Sequence, residues 1–224
     1  VSSTNRSGEL RVADDFYETP GWAVRALLPE LGKPPHEVVE PACGNGAIVD
    51  ELKHAWGDSS LYYGFELDPT RAAIADARGG RVRCADFLSL PPEHCWDLAI
   101  TNPPFVLAQE FAEQCLKVAR ETALLLRLAF MAGIERSAFL KANPCDVFPL
   151  PRRPQFVAVV KCREGKGQVS CGWRITVQID APRPKCCPNC GGKRDVVTSD
   201  SADYAWFVWG PGRGNRWKIL EIDT

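Results

Sequence analysis

The chain has no apolar stretch long enough to cross a bilayer. Its longest, Thr122 to Ile134, is interrupted by Arg127, so no transmembrane helix and no membrane partner is expected. A charged-then-apolar signal pattern is missing as well, and residues 1–13 read as a flexible polar leader. Net charge is nearly absent, at −1, which excludes a uniformly basic or acidic protein. Internal repeats and low-complexity segments are also lacking, which argues against solenoids and compositionally biased tails. Ten cysteines without a secretory signal point to a reducing, cytoplasmic setting, where thiols are buried, catalytic or metal-bound.

What is present is ordinary globular material: 224 residues, 45% hydrophobic and 25% charged, enough for one α/β domain with an insertion. The small net charge hides an asymmetry. Residues 151–224 hold 13 Lys and Arg against 7 Asp and Glu, which suits either one basic face for a polyanion or simply solvated surface charge. Strand patterns at 37–40, 61–66, 81–84, 96–101 and 123–130 alternate with helical patterns at 21–28, 48–56, 69–77, 106–120 and 135–142. That alternation indicates βαβ units and a parallel sheet. Strands at 146–150 and 204–209 complete the core. Between them lies a basic, cysteine-bearing insertion with its own strands at 156–161 and 173–180. The expected parts are thus a leader (1–13), a core (14–155), an insertion (156–200) and a last core strand with its tail (201–224).

Glu40-Pro41-Ala42-Cys43-Gly44-Asn45-Gly46 ends one strand and opens a helix. Glycines let the backbone approach a ligand, and a helix N-terminus favours negative charge. A dinucleotide site wants a small residue at position 49, where Val49 stands, so the segment suits a nucleoside cofactor without a pyrophosphate better. Glu66, ending the next strand, is placed to accept from two ribose hydroxyls. Asp86-Phe87 closes the third strand, where a carboxylate can accept from an adenine amino group and a ring can pack on the base. Asn102-Pro103-Pro104-Phe105 follows the fourth strand. Its two prolines stiffen the backbone and leave free carbonyls and one amide beside an aromatic ring, which suits a planar amino group. Pro-Pro also marks a mere strand-ending turn, and only the neighbouring motifs decide between the two.

These motifs, in this order, resemble the class I S-adenosylmethionine-dependent methyltransferases, and within them the adenine-N6 DNA methyltransferases. The resemblance covers most of residues 14–160 and 203–210. It implies a Rossmann-like, mostly parallel seven-stranded sheet with helices on both faces and a small Cys-rich insertion. Phe16-Tyr17-Glu18-Thr19-Pro20 resembles the N-terminal cofactor motif. Cofactor contacts are then expected from Tyr17, Thr19, Pro20, Glu40, Ala42, Gly44, Gly46, Glu66, Leu67, Asp86, Phe87 and Asn102. Asn102, Pro103, Pro104 and Phe105 match the catalytic tetrapeptide, in which the Asn102 oxygen and the Pro103 carbonyl hold the adenine amine and Phe105 stacks on the base. In duplex DNA that base must be flipped out. Arg152, Arg153 and Phe156 are the further substrate candidates, Phe156 as a second stacking ring or simply a core Phe at a strand start. A monomer without an obligate protein partner is expected, in a bacterial cell or phage-infected host.

Five of the ten cysteines lie within 29 residues. Cys187-Pro188-Asn189-Cys190 has the spacing that brings two thiolates to one tetrahedral ion, and Cys162 and Cys171 form a second pair without knuckle spacing. Structural zinc on Cys162, Cys171, Cys187 and Cys190 is the expectation, with Cys186 as spare or substitute and reduced free thiols as the alternative. Cys43 and Cys84 are expected to be small core residues. The rival functions are RNA adenine methylation, protein glutamine methylation, and a non-catalytic zinc module that binds nucleic acid.

Overall fold

The computed structural model describes residues 17–92, 95–162, 174–178, 185–191, 193–198, 202–214 and 216–222. They fall into two compact units, one of Thr19–Pro154 with Ala202–Thr224, the other of Gln155–Ser201 with the segment through Glu18.

The larger unit carries seven strands: β1 Glu37–Glu40, β2 Leu61–Glu66, β3 Arg81–Cys84, β4 Trp96–Thr101, β5 Ala119–Arg127, β6 Asp146–Pro149 and β10 Tyr204–Trp209. Their order is β3-β2-β1-β4-β5-β10-β6. The first five run parallel, while β10 is antiparallel to both β5 and β6. The strand order turns back between β1 and β4, and the crevice at such a switch point is where open α/β sheets hold ligands. Five helices join the strands: α1 Gly21–Leu31, α2 Ala47–Trp56, α3 Pro69–Ala77, α4 Ala108–Val118 and α5 Ile134–Ala142.

Helices cover both faces of the sheet. Successive residues of β10 show the two faces: the Trp206 indole donates to Ala23 O of α1 at 2.8 Å, while Phe207 packs on Phe130 with ring centroids 5.7 Å apart and shares a core with Phe111 of α4. On the Phe207 side, Phe65, Phe87, Phe111 of α4 and Leu124 join one apolar core. All six residues of β10 are buried, as expected for a strand covered on both faces. Among the described residues no helix is long and apolar enough to cross a membrane.

Three boundaries differ from the sequence expectation for clear physical reasons. Helix α1 continues through Pro29 to Leu31, because the proline sits in the last turn and the nine-tenths-buried Leu31 extends the packed face. Residues 119–120, expected to end a helix, and 121–122, expected to link it to the next strand, instead begin β5. The ladder partners Trp96↔Ala119 on one side and Trp209↔Thr122 on the other override the local preference of Ala-Arg-Glu for helix. Strand β5 then stops at Arg127, and a 3-10 turn takes Leu128–Met131.

The smaller unit is a three-stranded antiparallel sheet, β8-β7-β9, of β7 Val157–Cys162, β8 Arg174–Gln178 and β9 Arg194–Thr198. Strand β9 was not anticipated; its only strand signal is the short Val-Val-Thr run.

Candidate active site

Glu40 ends β1 buried at 3% exposure, and its carboxylate takes the N–H of Val49 in the first turn of α2 at 3.2 Å. It therefore caps α2 from across the turn, satisfying a donor that the helix itself leaves open. Burial pushes its carboxyl well above the ordinary range, the Val49 bond opposes this, and the nearby Glu66 charge adds to it. The intervening turn needs left-handed backbone at Gly44 (φ 51°) and Gly46 (φ 83°), which side chains rarely adopt. A Cβ on Gly46 would also meet α3 at Ala75, 3.2 Å away.

Glu66 closes β2 beside this turn. It accepts from Gly44 N–H and Asp68 N–H, each at 2.9 Å, and pairs with Arg71 at 3.3 Å. The acid therefore fixes the glycine turn as well as facing the crevice. Cys43 N–H bonds Phe65 O at 2.9 Å, and Gly64 has no room for a side chain because a Cβ there would stand 3.0 Å from Cys43 Sγ. Cys43 is buried as expected. Cys84 is not: it is exposed at the end of β3, its Sγ 3.5 Å from Leu67 O, in an edge strand that has no fully buried residue. Leu67 itself is 68% exposed.

Asp86 is exposed and caps the 3-10 turn Phe87–Ser89 by accepting from Leu88 N–H at 2.9 Å. The Phe87 ring faces the core, 2% exposed, between Phe65 (5.6 Å) and Phe111 (6.0 Å). What this step offers outward is thus the Asp86 carboxylate, with the Phe87 ring committed to packing. Asp97, at the far end of β4, accepts from His36 and Glu37 N–H and holds the start of β1.

Strand β4 delivers Asn102–Phe105 at the same sheet edge, and Thr101, fully buried, reaches Ala42 O of the glycine turn at 3.5 Å. Phe105 opens a short 3-10 turn and is half-buried. The Arg127 guanidinium lies 4.3 Å above its ring centroid, and Tyr204 stands 5.7 Å away, donated to by Arg127 Nε at 3.1 Å. Thr19 is buried at 6% exposure, and Pro20 precedes α1 in extended conformation. Arg152 lies 4.5 Å over the Trp22 ring, and Arg153 pairs with Asp203 at 2.7 Å. Sheet topology thus brings Glu40, Ala42, Gly44, Gly46, Glu66, Leu67, Asp86 and Asn102 to one edge. Arg152 and Arg153 follow β6, which runs parallel to β5, and so leave the sheet at the same edge, three strands along from β4.

In the smaller unit, Tyr17 and Phe156 pack on each other at 5.8 Å, and Phe156 is 3% exposed. Sγ atoms of Cys162, Cys187 and Cys190 lie within 4.8 Å of one another, with 3.6 Å between Cys162 and Cys190. A disulfide would need about 2.05 Å. Two thiolates on one tetrahedral zinc stand about 3.8 Å apart for Zn–S bonds of about 2.3 Å. Gly191, at φ 68°, turns its N–H back to Cys187 O at 2.8 Å and closes the knuckle. Cys186 is exposed, and Cys171 lies outside the described residues, as do Phe16 and the expected leader.

No protein-family profile matches the chain. A type II methyltransferase of Thermus thermophilus is 33% identical over 106 residues, 46% of this chain and 24% of that protein. Among solved structures, a type I restriction-modification methyltransferase subunit from Streptococcus thermophilus superposes with a TM-score of 0.55 at 13% identity, covering 89% of this chain and 46% of that one. A putative RNA methyltransferase from Pyrococcus horikoshii superposes at 0.52 and 14% identity, covering 91% and 92%. The fold is that of the class I methyltransferases. The chain resembles restriction-modification methyltransferases, and spans about a quarter of the curated relative and about half of the Streptococcus subunit.

Within this methyltransferase fold, four residues of the site edge escaped the sequence reading. Arg71 braces Glu66, and no motif marks it, because a basic residue in a first helical turn is common. Arg127 and Tyr204 meet only because β10 pairs in register with β5, a long-range pairing that local pattern does not reveal. Asn45, at the tip of the glycine turn, has a buried Oδ1 with no hydrogen-bond partner among the described residues.

Proposed function

We propose that this chain is an S-adenosylmethionine-dependent methyltransferase that transfers a methyl group to N6 of an adenine flipped out of DNA. The observation that carries the reading is the convergence of the Asn-Pro-Pro-Phe turn with Glu66 and the glycine turn at the switch point between β1 and β4. The residues present fit such a cofactor. Glu66 and Asp86 are acceptors suited to a ribose diol and an adenine amine. The buried Asn45 Oδ1 calls for a donor, and a lone buried acceptor costs about 1–3 kcal/mol. The first turn of α2 carries Asp50 rather than a cation, which disfavours a pyrophosphate. When bound, the cofactor supplies a sulfonium methyl whose bonding pair stays with sulfur as the methyl leaves.

The residues act on the amine. Its lone pair is delocalised into the purine ring, so attack requires the nitrogen to pyramidalise and gain positive charge. The Asn102 oxygen and the Pro103 carbonyl accept its two hydrogens and bind more strongly as that charge grows, which stabilises the transition state over the ground state. Proline rings at 103 and 104 keep the acceptors fixed. Phe105 presents a flat face for the base, and the new N–methyl amine loses a proton to water.

Zinc on Cys162, Cys187 and Cys190, with Cys171 as fourth ligand, would tie β7 to the knuckle. The exposed Lys185 and Lys193 flanking it would face phosphates. Elemental analysis of freshly purified protein is expected to give one zinc per chain; none would remove the site. A second enzymatic reading, RNA methylation, is favoured by the likeness to the Pyrococcus protein. Labelled methyl transfer run in parallel on duplex DNA, single-stranded DNA, RNA and protein tests the whole. Incorporation at adenine N6 of DNA is expected, and incorporation into RNA or glutamine alone would replace this reading by the corresponding rival.

A further inference from the structure

Exposed aliphatic side chains lie on two turns at the sheet edge that carries the Asn-Pro-Pro-Phe segment. Val106 (63% exposed) and Leu107 (37%) follow the tetrapeptide on the turn after β4, and Met131 (42%) and Ile134 (91%) lie on the turn after β5. The two turns leave neighbouring parallel strands at the same edge, and Arg127, the last residue of β5, lies on the ring of Phe105. Single exposed aliphatics are normal on any surface, but a group of four from two adjacent turns at one edge is a patch.

The turn after β5 is anchored at its base and free at its tip. Phe130 is 3% exposed and packs against Phe207 at 5.7 Å and Phe139 at 6.5 Å, while Leu128 N–H donates to Asp203 O at 2.8 Å. Gly133 then takes φ 107°, with nothing within 4 Å of a Cβ placed on it, and Ile134 stands out beyond it at the start of α5. Folding gains almost nothing from a side chain left in water this way. Charge around the tip suits a polyanion: residues 122–142 hold Arg127, Arg136 and Lys141 against Glu135 alone.

We propose that Met131 and Ile134 form an apolar wedge that enters the base stack of duplex DNA beside the target adenine and fills the space its flipping opens. The inference rests on the adenine-in-DNA reading and adds to it the element that makes a duplex usable. Apolar side chains inserted at a base step offset part of the unstacking cost, which amounts to a few kcal/mol for an ordinary pair and less where pairing is already lost. Cations at the base of the turn would hold the flanking phosphates.

The test compares wild type with the double variant Met131→Ser, Ile134→Ser in labelled methyl transfer to three oligonucleotides carrying the same adenine. These are a paired duplex, a duplex with an abasic site opposite the adenine, and the single strand. Both positions are surface-exposed, and circular dichroism melting confirms that the variant folds. The expected result is a loss of at least tenfold in kcat/KM on the paired duplex, under threefold opposite the abasic site, and none beyond twofold on the single strand. Equal losses on all three, or no loss on the paired duplex, would overturn the wedge and leave the adenine reading standing. A wild type active only on single strands does the same. A wild type that methylates RNA or glutamine but no DNA, or nothing at all, overturns both.

Discussion

Two sets of carboxylates stand at opposite edges of the same sheet, and they are held in opposite ways. At the C-terminal edge, Glu40 and Glu66 bond mainly to backbone N–H groups, with Arg71 the one cation paired to them among the described residues. At the other edge, Asp146 at the start of β6 is 1% exposed and accepts from the backbone of Gly214 and Arg216 (3.0 Å each). It accepts also from Arg216 Nε (2.9 Å) and Arg213 Nη1 (3.3 Å). Arg213 also bonds Glu121 and Glu30 O, and Lys218 pairs with Glu30 at 2.8 Å. Backbone bonds from Val147 to Arg216, Lys218 to Val147 and Leu220 to Pro149 lay the tail along β6 and cover that edge of the sheet. Buried acids saturated by cations make a clasp. Acids held mainly by backbone, beside an orphaned Asn45 oxygen, keep acceptor capacity for something else. Burial of a charge therefore does not mark a site; what satisfies the charge does.

Removing Asp146 is the largest expected break in this contrast. Asp146→Ala leaves Arg213 and Arg216 without their shared partner, and breaking a buried pair typically costs about 3–5 kcal/mol. Denaturant melts should show that loss, while the surviving folded fraction keeps its affinity for S-adenosylhomocysteine; an equal fall in affinity would mean that the two edges are coupled. Next comes Asn102→Ala. One lost preorganised partner costs about 3–4 kcal/mol in the barrier, so turnover should drop by roughly two to three orders of magnitude with stability and cofactor affinity little changed. Turnover within tenfold of wild type would sink the assignment of Asn102.

The C-terminal edge was far more legible in the sequence than the clasp. Glycine, proline and acid sit at strand ends there because backbone geometry demands those residue types locally, so Gly44, Glu66 and Asn102 could be read in chain order. Strands β1, β2, β3 and β4 had the expected bounds for the same reason. The clasp joins Glu30, Glu121 and Asp146 to residues 213–218, and no local pattern links positions so far apart. Arg127 on Phe105 was hidden likewise, since it depends on the register of β10 against β5. Phe87 shows the converse limit: its motif position was plain, but only packing reveals that its ring is spent between Phe65 and Phe111.

The smallest effect sharpens the contrast through its sign. Burial raises the Asp146 carboxyl, but its four hydrogen bonds outweigh this and hold it well below the ordinary range. Its stabilisation is therefore complete above about pH 4, the unfolded value, and is lost as pH falls below that. For Glu40, burial wins and the carboxyl is raised. The native state then keeps a proton that the unfolded chain has released, so Glu40 costs stability progressively as pH rises above about 4.3, by up to about 1.4 kcal/mol per pH unit until the folded value is passed. Glu40→Gln keeps an oxygen for Val49 N–H and removes the titration. Relative to wild type it should gain stability between pH 5 and pH 8, whereas Asp146→Asn should show a deficit that stays level over that range and shrinks only below about pH 4. Denaturation midpoints for both variants across pH 3–8 decide it: a flat Glu40→Gln difference would mean that water or the Val49 bond already stabilises the Glu40 charge, and that the two edges do not differ in kind.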